Sequence, residues 1–203
     1  MSRLLVLFAI GGAALYAAPF SHQLHLKLKP DCGSCHTAAA TSTTPQDNLL
    51  PDRKACLPCH QNAEIGAPPT TKLAHFSHQQ HLKMGNIAPI IAAAIDKKQY
   101  LQPPGDMRAH LNGTNPCQAC HRGLEESTQV SAVNMPRMAD CIVCHTQIDN
   151  PFSCDKCHVK GDNLKPASHV EGFMSAHSSG TLNLDKASCT ICHGTNFRCL
   201  GCH

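Results

Sequence analysis

The sequence predicts a chain that is mostly irregular, with short α-helices and little or no sheet, wrapped around something other than its own side chains. Three observations carry this. A Cys-x-x-Cys followed at once by His occurs seven times and uses all 14 cysteines of the 203 residues. Bulky aromatic side chains are scarce, with no Trp, 2 Tyr and 6 Phe. The chain offers only about 27 residues per motif once a leader is set aside, too few for a conventional core around seven separate sites.

The seven motifs are Cys32, Cys35 and His36; Cys56, Cys59 and His60; Cys117, Cys120 and His121; Cys141, Cys144 and His145; Cys154, Cys157 and His158; Cys189, Cys192 and His193; and Cys199, Cys202 and His203. Cys-x-x-Cys-His is the attachment sequence of c-type haem. Both thiols add to the vinyl groups of one porphyrin, and the adjacent His reaches the iron as proximal ligand. Zinc ribbons use Cys-x-x-Cys in pairs, and seven is odd. A thioredoxin-type site would be a single motif, and a disulfide framework of an exported chain does not require His. With 15 His in 203 residues, seven chance hits in seven trials have a probability on the order of 10⁻⁸. The cofactor reading is therefore seven haem c, held by fourteen thioethers and seven proximal imidazoles.

The N-terminus carries an export pattern: Arg3, an apolar run from Leu4 to Ala14, and Leu15-Tyr16-Ala17 as a cleavage tripeptide. Residues 1–17 are read as a signal peptide, with an uncleaved anchor as the alternative. The run is shorter than the ~20 residues of a membrane span. The expected location is periplasmic or extracellular.

The formal charge of +3 misleads. Fourteen propionates and seven ferric centres would bring the oxidised holoprotein to about −5, and full reduction to about −12. This argues against nucleic-acid binding. Redox protein partners are expected instead, with self-assembly or a membrane complex as alternatives. Local clusters such as Lys27, Lys29, Lys97 and Lys98 are candidate docking charges, though most such groups are ordinary solvated surface.

The chain repeats internally. Phe20-Ser21-His22-Gln23-Leu24-His25-Leu26-Lys27 recurs as Phe76-Ser77-His78-Gln79-Gln80-His81-Leu82-Lys83. In each copy two motifs follow, separated by 19 residues (37–55 and 122–140). The units are 18–75 with two motifs, 76–158 with three, and 159–203 with two. The second copy carries an insertion at 84–112. There Pro89 suits a first helical position. The run from Ile90 to Leu101 has helical spacing and is closed by Pro103-Pro104-Gly105. A short amphipathic helix and a loop bearing His110 are expected, with a plain surface excursion as the alternative. Segments 37–55 and 159–168 read as surface loops.

A sixth ligand decides what each iron does. A His there gives a low-potential electron carrier, a Met raises the potential, and an open position admits substrate. Seven proximal His leave eight: His22, His25, His78, His81, His110, His169 and His177 as expected distal ligands, and His75 as the candidate spare. Seven haems need seven, which points to bis-His ligation. Met84, Met107, Met135, Met138 and Met174 are candidate sulfur ligands that more often serve packing.

Phe-x-His-x-x-His, a motif, 19 residues, a second motif and a closely spaced third together resemble the cytochrome c7 trihaem module, which is related to the class III (cytochrome c3) fold. Residues 76–158 match the whole pattern apart from the insertion, and 20–60 match its first two-thirds. The resemblance implies that His22 serves the Cys32 haem and His78 the Cys117 haem. It also implies that His81 reaches the Cys154 haem, and that Phe20 and Phe76 pack between macrocycles. It supplies no distal ligand for the Cys56 and Cys141 haems; His25, His75 and His110 are unassigned candidates. In the last segment His177 is expected at the Cys189 haem and His169 at the Cys199 haem.

The function expected from these residues is electron transfer without catalysis. A subunit of an extracellular cytochrome filament or a respiratory complex is the second reading. A small reductase with one five-coordinate haem is the third.

Overall fold

A computed structural model describes residues 20–29, 31–145, 154–166, 168–182 and 186–193. The leader reading at 1–17 and the last motif, with Cys199, Cys202 and His203, lie outside the described residues. No helix among the described residues is long and apolar enough to cross a membrane.

Among the described residues six short α-helices stand between 3-10 turns: α1 (His22–Leu28), α2 (His78–Lys83), α3 (Ala88–Asp96), α4 (Met138–Ile142), α5 (Phe173–Ser178) and α6 (Lys186–His193). The strand content of the described residues is one isolated antiparallel bridge, Leu73 with His158. Such helices are too short to persist on local propensity, so caps and tertiary bonds hold them. Ser21 Oγ accepts the amide of Leu24 at the start of α1, and Ser77 Oγ accepts that of Gln80 at the start of α2.

The two copies of the repeat dock on each other reciprocally. The Gln23 amide of α1 donates to Ser127 O at 2.9 Å, and the Gln79 amide of α2 donates to Ser42 O at 2.9 Å. Ser42 stands six residues after His36, and Ser127 stands six after His121. Each copy's helix thus packs on the loop that follows the other copy's first motif, a pseudo-two-fold exchange. Segment 37–55 is correspondingly less of a surface loop than expected: Ser42 is buried and also accepts from Ser77 Oγ.

The insertion forms the apolar core. Ala88, Ile91 and Ala92 of α3 pack with Tyr100, Met107, Leu111, Ala119, Ala139 and Ile142, all buried. Helix α3 is shorter than the run from Ile90 to Leu101 suggests, and Pro89 sits in its first turn. Asn86 Oδ1 accepts the Ala88 amide just before it. Burying such a side chain contributes roughly 1.5–3 kcal/mol, so this element anchors the second copy and is no plain excursion.

At one edge of this core lies a charged cluster. Arg122 and Asp140, 5% and 6% exposed, form an ion pair at 2.5 Å. Tyr100 Oη donates to Asp140 Oδ1 at 2.8 Å, and the Arg137 amide donates to Oδ2 at 2.7 Å. Arg122 also donates to Ala119 O. A buried carboxylate satisfied by three donors can remain charged where an unpaired one could not. Burial and the Asp140 charge push the Tyr100 phenol well above its ordinary range.

Candidate haem sites

Five motifs share one turn. At 32, 56, 117, 141 and 154 the first Cys carbonyl accepts from two amides of its own motif. The amides of the second cysteines (Cys35, Cys59, Cys120, Cys144 and Cys157) donate at 3.1–3.2 Å, and the His amides at 2.8–2.9 Å. Residues i, i+3 and i+4 of a helical turn share a face, so both sulfurs and the imidazole are presented on one side. Side-chain caps close three of these turns: Asp31 on the Gly33 amide, Asp52 on the Lys54 amide, and Asn115 on the Cys117 amide. The 189–193 motif lies within α6.

The thiols of these turns are placed for attachment. Cys35 is half-buried, and Cys59 and Cys144 are exposed. None of the three is tied up in a disulfide, and neither are Cys32, Cys56 and Cys141, their partners within the motif. The disulfide framework considered as an alternative for these six cysteines finds no support, and each turn keeps two thiols for one porphyrin. The attachment expected at Cys199 and Cys202 falls outside the described residues.

The structure then brings a second imidazole opposite a motif imidazole five times. His22 faces His36 at a ring-centroid distance of 6.3 Å and 9° between planes. His25 faces His60 at 6.1 Å and 38°. His78 faces His121 at 6.4 Å and 12°, His81 faces His145 at 6.3 Å and 48°, and His169 faces His193 at 6.1 Å and 8°. Every pair joins a motif His to a non-motif His. Aromatic rings in general pack at centroid distances of ~4.5–7 Å, so one such pair would mean little. Five within 0.3 Å of one another, all of the same kind, match a metal held from both sides. A metal–imidazole bond of about 2 Å on each side, with about 1.2 Å from nitrogen to ring centre, places the centroids roughly 6.4 Å apart.

The second nitrogens fit as well. His36 Nδ1 donates to Leu49 O at 2.7 Å and His121 Nδ1 to Asn134 O at 3.3 Å, each thirteen residues on. His25 Nδ1 donates to Ser21 O and His81 Nδ1 to Ser77 O, both at 2.7 Å, and His158 Nδ1 donates to Lys72 O at 3.3 Å. A carbonyl only accepts, so Nδ1 carries the proton and Nε2 keeps its lone pair for a metal. His22 and His78 bury Nδ1 atoms that no protein group satisfies among the described residues, as expected where a bound group completes the surroundings. Burial, first, and then the neighbouring imidazoles hold His22 and His78 below the usual imidazole range. His121 is lowered chiefly by burial. The neutral form favoured there is the one that ligates.

The phenylalanines accompany these rings. Phe20 stacks on His25 at 4.2 Å and meets His22 edge-on; Phe76 stacks on His81 at 4.5 Å and meets His78 edge-on. Phe173 stands between His169 and His177, parallel to both.

Several expectations change. His81 faces His145 of the Cys141 motif instead of reaching the Cys154 motif. His25 faces His60, so the two motifs for which the resemblance supplied no ligand each have a partner imidazole from their own copy. His169 faces His193 of the Cys189 motif, where His177 was expected; His203 lies outside the described residues. Neither His75 nor His110 faces another imidazole at this spacing among the described residues. The His75 amide ties it to the Cys154 motif, donating to Cys157 O at 3.3 Å.

Two features were missed by sequence reasoning. The buried pair Arg122–Asp140 joins the residue after His121 to the residue before Cys141. The Asp140 charge acts after burial in raising the thiols of Cys120 and Cys141, each to about 11. The segment before Phe76 also binds the third motif of that copy: the Ala74 amide donates to Cys157 O at 2.7 Å and the Val159 amide to Lys72 O at 3.1 Å. Alternating backbone bonds of this kind leave no side-chain signature.

Repeated attachment turns and five motif histidines with a facing imidazole, on a thin chain nearly sheet-free among the described residues, define a multihaem c-type cytochrome. The chain belongs to the outer membrane cytochrome MtrC/MtrF-like family, domains II/IV, whose sequence model matches residues 28–203. No curated protein and no solved structure matches it.

Proposed function

We propose that this chain is an extracytoplasmic heptahaem cytochrome that carries electrons between redox protein partners through bis-His haems. The family's description as outer membrane cytochromes and the export pattern at 1–17 support a location outside the cytoplasm. The observation that carries the reading is the set of five imidazole pairs at 6.1–6.4 Å.

When bound, the haems supply the one-electron chemistry. The protein's part is positional. Cys turns fix each attachment point, carbonyls hold the Nε2 lone pairs toward the metal, and Phe20, Phe76 and Phe173 keep neighbouring imidazoles in place. We assign His177 to the haem of Cys199 and Cys202, since His169 of the same segment faces His193. The c7-like reading of 76–158 rests on its motif order and on Phe76-Ser77-His78-Gln79-Gln80-His81. At the five facing pairs two imidazoles per iron would leave no position for substrate, which supports an electron carrier over an enzyme.

A second reading, a reductase with one exchangeable haem, attaches to the Cys154 motif, because His158 has no facing imidazole among the described residues. Exogenous cyanide or nitrite added to the oxidised holoprotein separates the two. A carrier leaves the optical spectrum unchanged. A shift of about one-seventh of the Soret amplitude favours the second reading. Intact mass of the holoprotein tests the haem number directly: seven attached groups are expected, and fewer than seven contradicts the heptahaem reading.

A further inference from the structure

The two repeat copies are alike in cap, helix, docking bond and imidazole pairing, and besides the core of the insertion they differ at one buried charged feature. In the second copy the residue after the first motif His is Arg122, and the residue before the second motif Cys is Asp140. The matching positions of the first copy hold Thr37 and Ala55. Arg122 and Asp140 form a buried ion pair with the negative end at Cys141 and the positive end beside His121. The insertion, present only in the second copy, supplies the Tyr100 hydroxyl that holds Asp140 Oδ1.

We propose that Asp140, fixed by Arg122 and Tyr100, is a positioning and tuning residue that makes the Cys141 haem harder to reduce than the equivalent Cys56 haem. The inference rests on haem attachment at both motifs. The argument is electrostatic. An added electron is a new negative charge, and a carboxylate one residue from the attachment sulfur opposes it. The carboxylate is buried, where its field is less screened than at the surface, and Arg122 offsets it only in part at the Cys141 side. Arg122 lies beside His121, the proximal ligand of the Cys117 haem, while Asp140 also bears on Cys120 of that motif, and more than Arg122 does. The first copy has no charge at either position.

The pair also sets distance. It ties the end of one attachment turn to the start of the next across 18 residues of sequence, and Ala119 O and the Arg137 amide lock its two ends. Geometry and field are thus fixed by the same three side chains.

The test is a spectroelectrochemical titration of holoproteins, with haem-methyl NMR resonances assigning each component. Asp140→Asn is expected to move the Cys141 component to higher potential and leave the Cys56 component in place. Tyr100→Phe removes one hydrogen bond to Asp140 but keeps the charge, and is expected to shift the Cys141 component less than Asp140→Asn does. Because Asp140→Asn disturbs a buried pair, a reciprocal variant carries the test independently. Ala55→Asp places a carboxylate on a half-buried turn at the matching position and is expected to move the Cys56 component to lower potential. An Ala55→Asp titration that superimposes on the parent overturns the inference. So does a Tyr100→Phe shift as large as that of Asp140→Asn, since packing and not charge would then be responsible. Peptide mass mapping of the parent protein keeps the two levels apart. Absence of haem at Cys141 and Cys144 overturns the underlying reading, whereas its presence with no shift overturns this inference alone.

Discussion

His25 stands 6.1 Å from His60, ring centroid to ring centroid, with its Nδ1 proton given to Ser21 O. Helix α1 makes this possible. His22 and His25 are three residues apart on one short helix, so one ring reaches the first motif of the copy and the other reaches the second. Helix α2 repeats the arrangement with His78 and His81.

Replacing His25 with Ala therefore should affect one haem only. Loss of the distal imidazole leaves the Cys56 iron five-coordinate or water-bound. Electron paramagnetic resonance of the oxidised variant should show a new high-spin signal of about one-seventh of the total iron. His81→Ala should give the same signal from the Cys141 haem, and the double variant twice that amount. Failure of His25→Ala to generate high-spin iron would remove His25 from the ligand set.

The buried ion pair makes a stability prediction. Arg122→Leu leaves Asp140 charged, buried and short of a donor, a loss of roughly 3–5 kcal/mol. Denaturant unfolding of the holoprotein, followed by the signal of the second-copy haems, measures it. The pair Arg108–Asp96 has partners 40% and 55% exposed, and its removal should leave the midpoint unchanged. Equal effects from the two pairs would contradict the burial argument.

The core formed by the insertion can be weighed in the same way. Ile91 is 1% exposed, and Ile91→Ala should cost about 2–5 kcal/mol through lost burial and a residual cavity. The expected loss appears as a lower unfolding midpoint with the haem count intact. A loss within error would mean that α3 is peripheral to stability.

Tyr100 gives a pH dependence with a definite sign. Its phenol is raised from an ordinary value of 10.0 by burial and then by the Asp140 charge. The unfolded chain releases this proton first as pH rises, so the native state binds more protons above about pH 10. The stabilisation is complete below that pH and is lost progressively above it. Stability measured from neutral to alkaline pH should fall beyond about pH 10, and Tyr100→Phe should remove that part of the fall. A tyrosinate absorbance that develops at the ordinary phenol pKa would contradict the burial of Tyr100.

Much of this architecture is legible in the residues, because covalent chemistry imposes spacing. A thioether pair and a proximal ligand require one helical turn, and Cys-x-x-Cys-His states it directly. Equal 19-residue intervals (37–55 and 122–140) after the first motif of each Phe-Ser-His-Gln copy announce the repeat, and the surplus of eight His announces second ligands. What is not legible is which surplus ring meets which motif. That depends on how far a helix turns between His78 and His81, and on backbone bonds such as Gln79 to Ser42 that no side chain records. The helix of the insertion is legible in the spacing from Ile90 to Leu101, but not that it seats the apolar core, because Met107, Leu111, Ala119 and Ala139 join it only on folding. The Arg122–Asp140 pair is two ordinary charged residues until folding buries them together.

The most direct test of the central claim is quantitative electron paramagnetic resonance of the fully oxidised holoprotein, normalised to total haem iron. The account predicts that at least about five of seven irons are low-spin with two imidazole ligands, one for each facing pair. High-spin iron amounting to more than about two of the seven would contradict it.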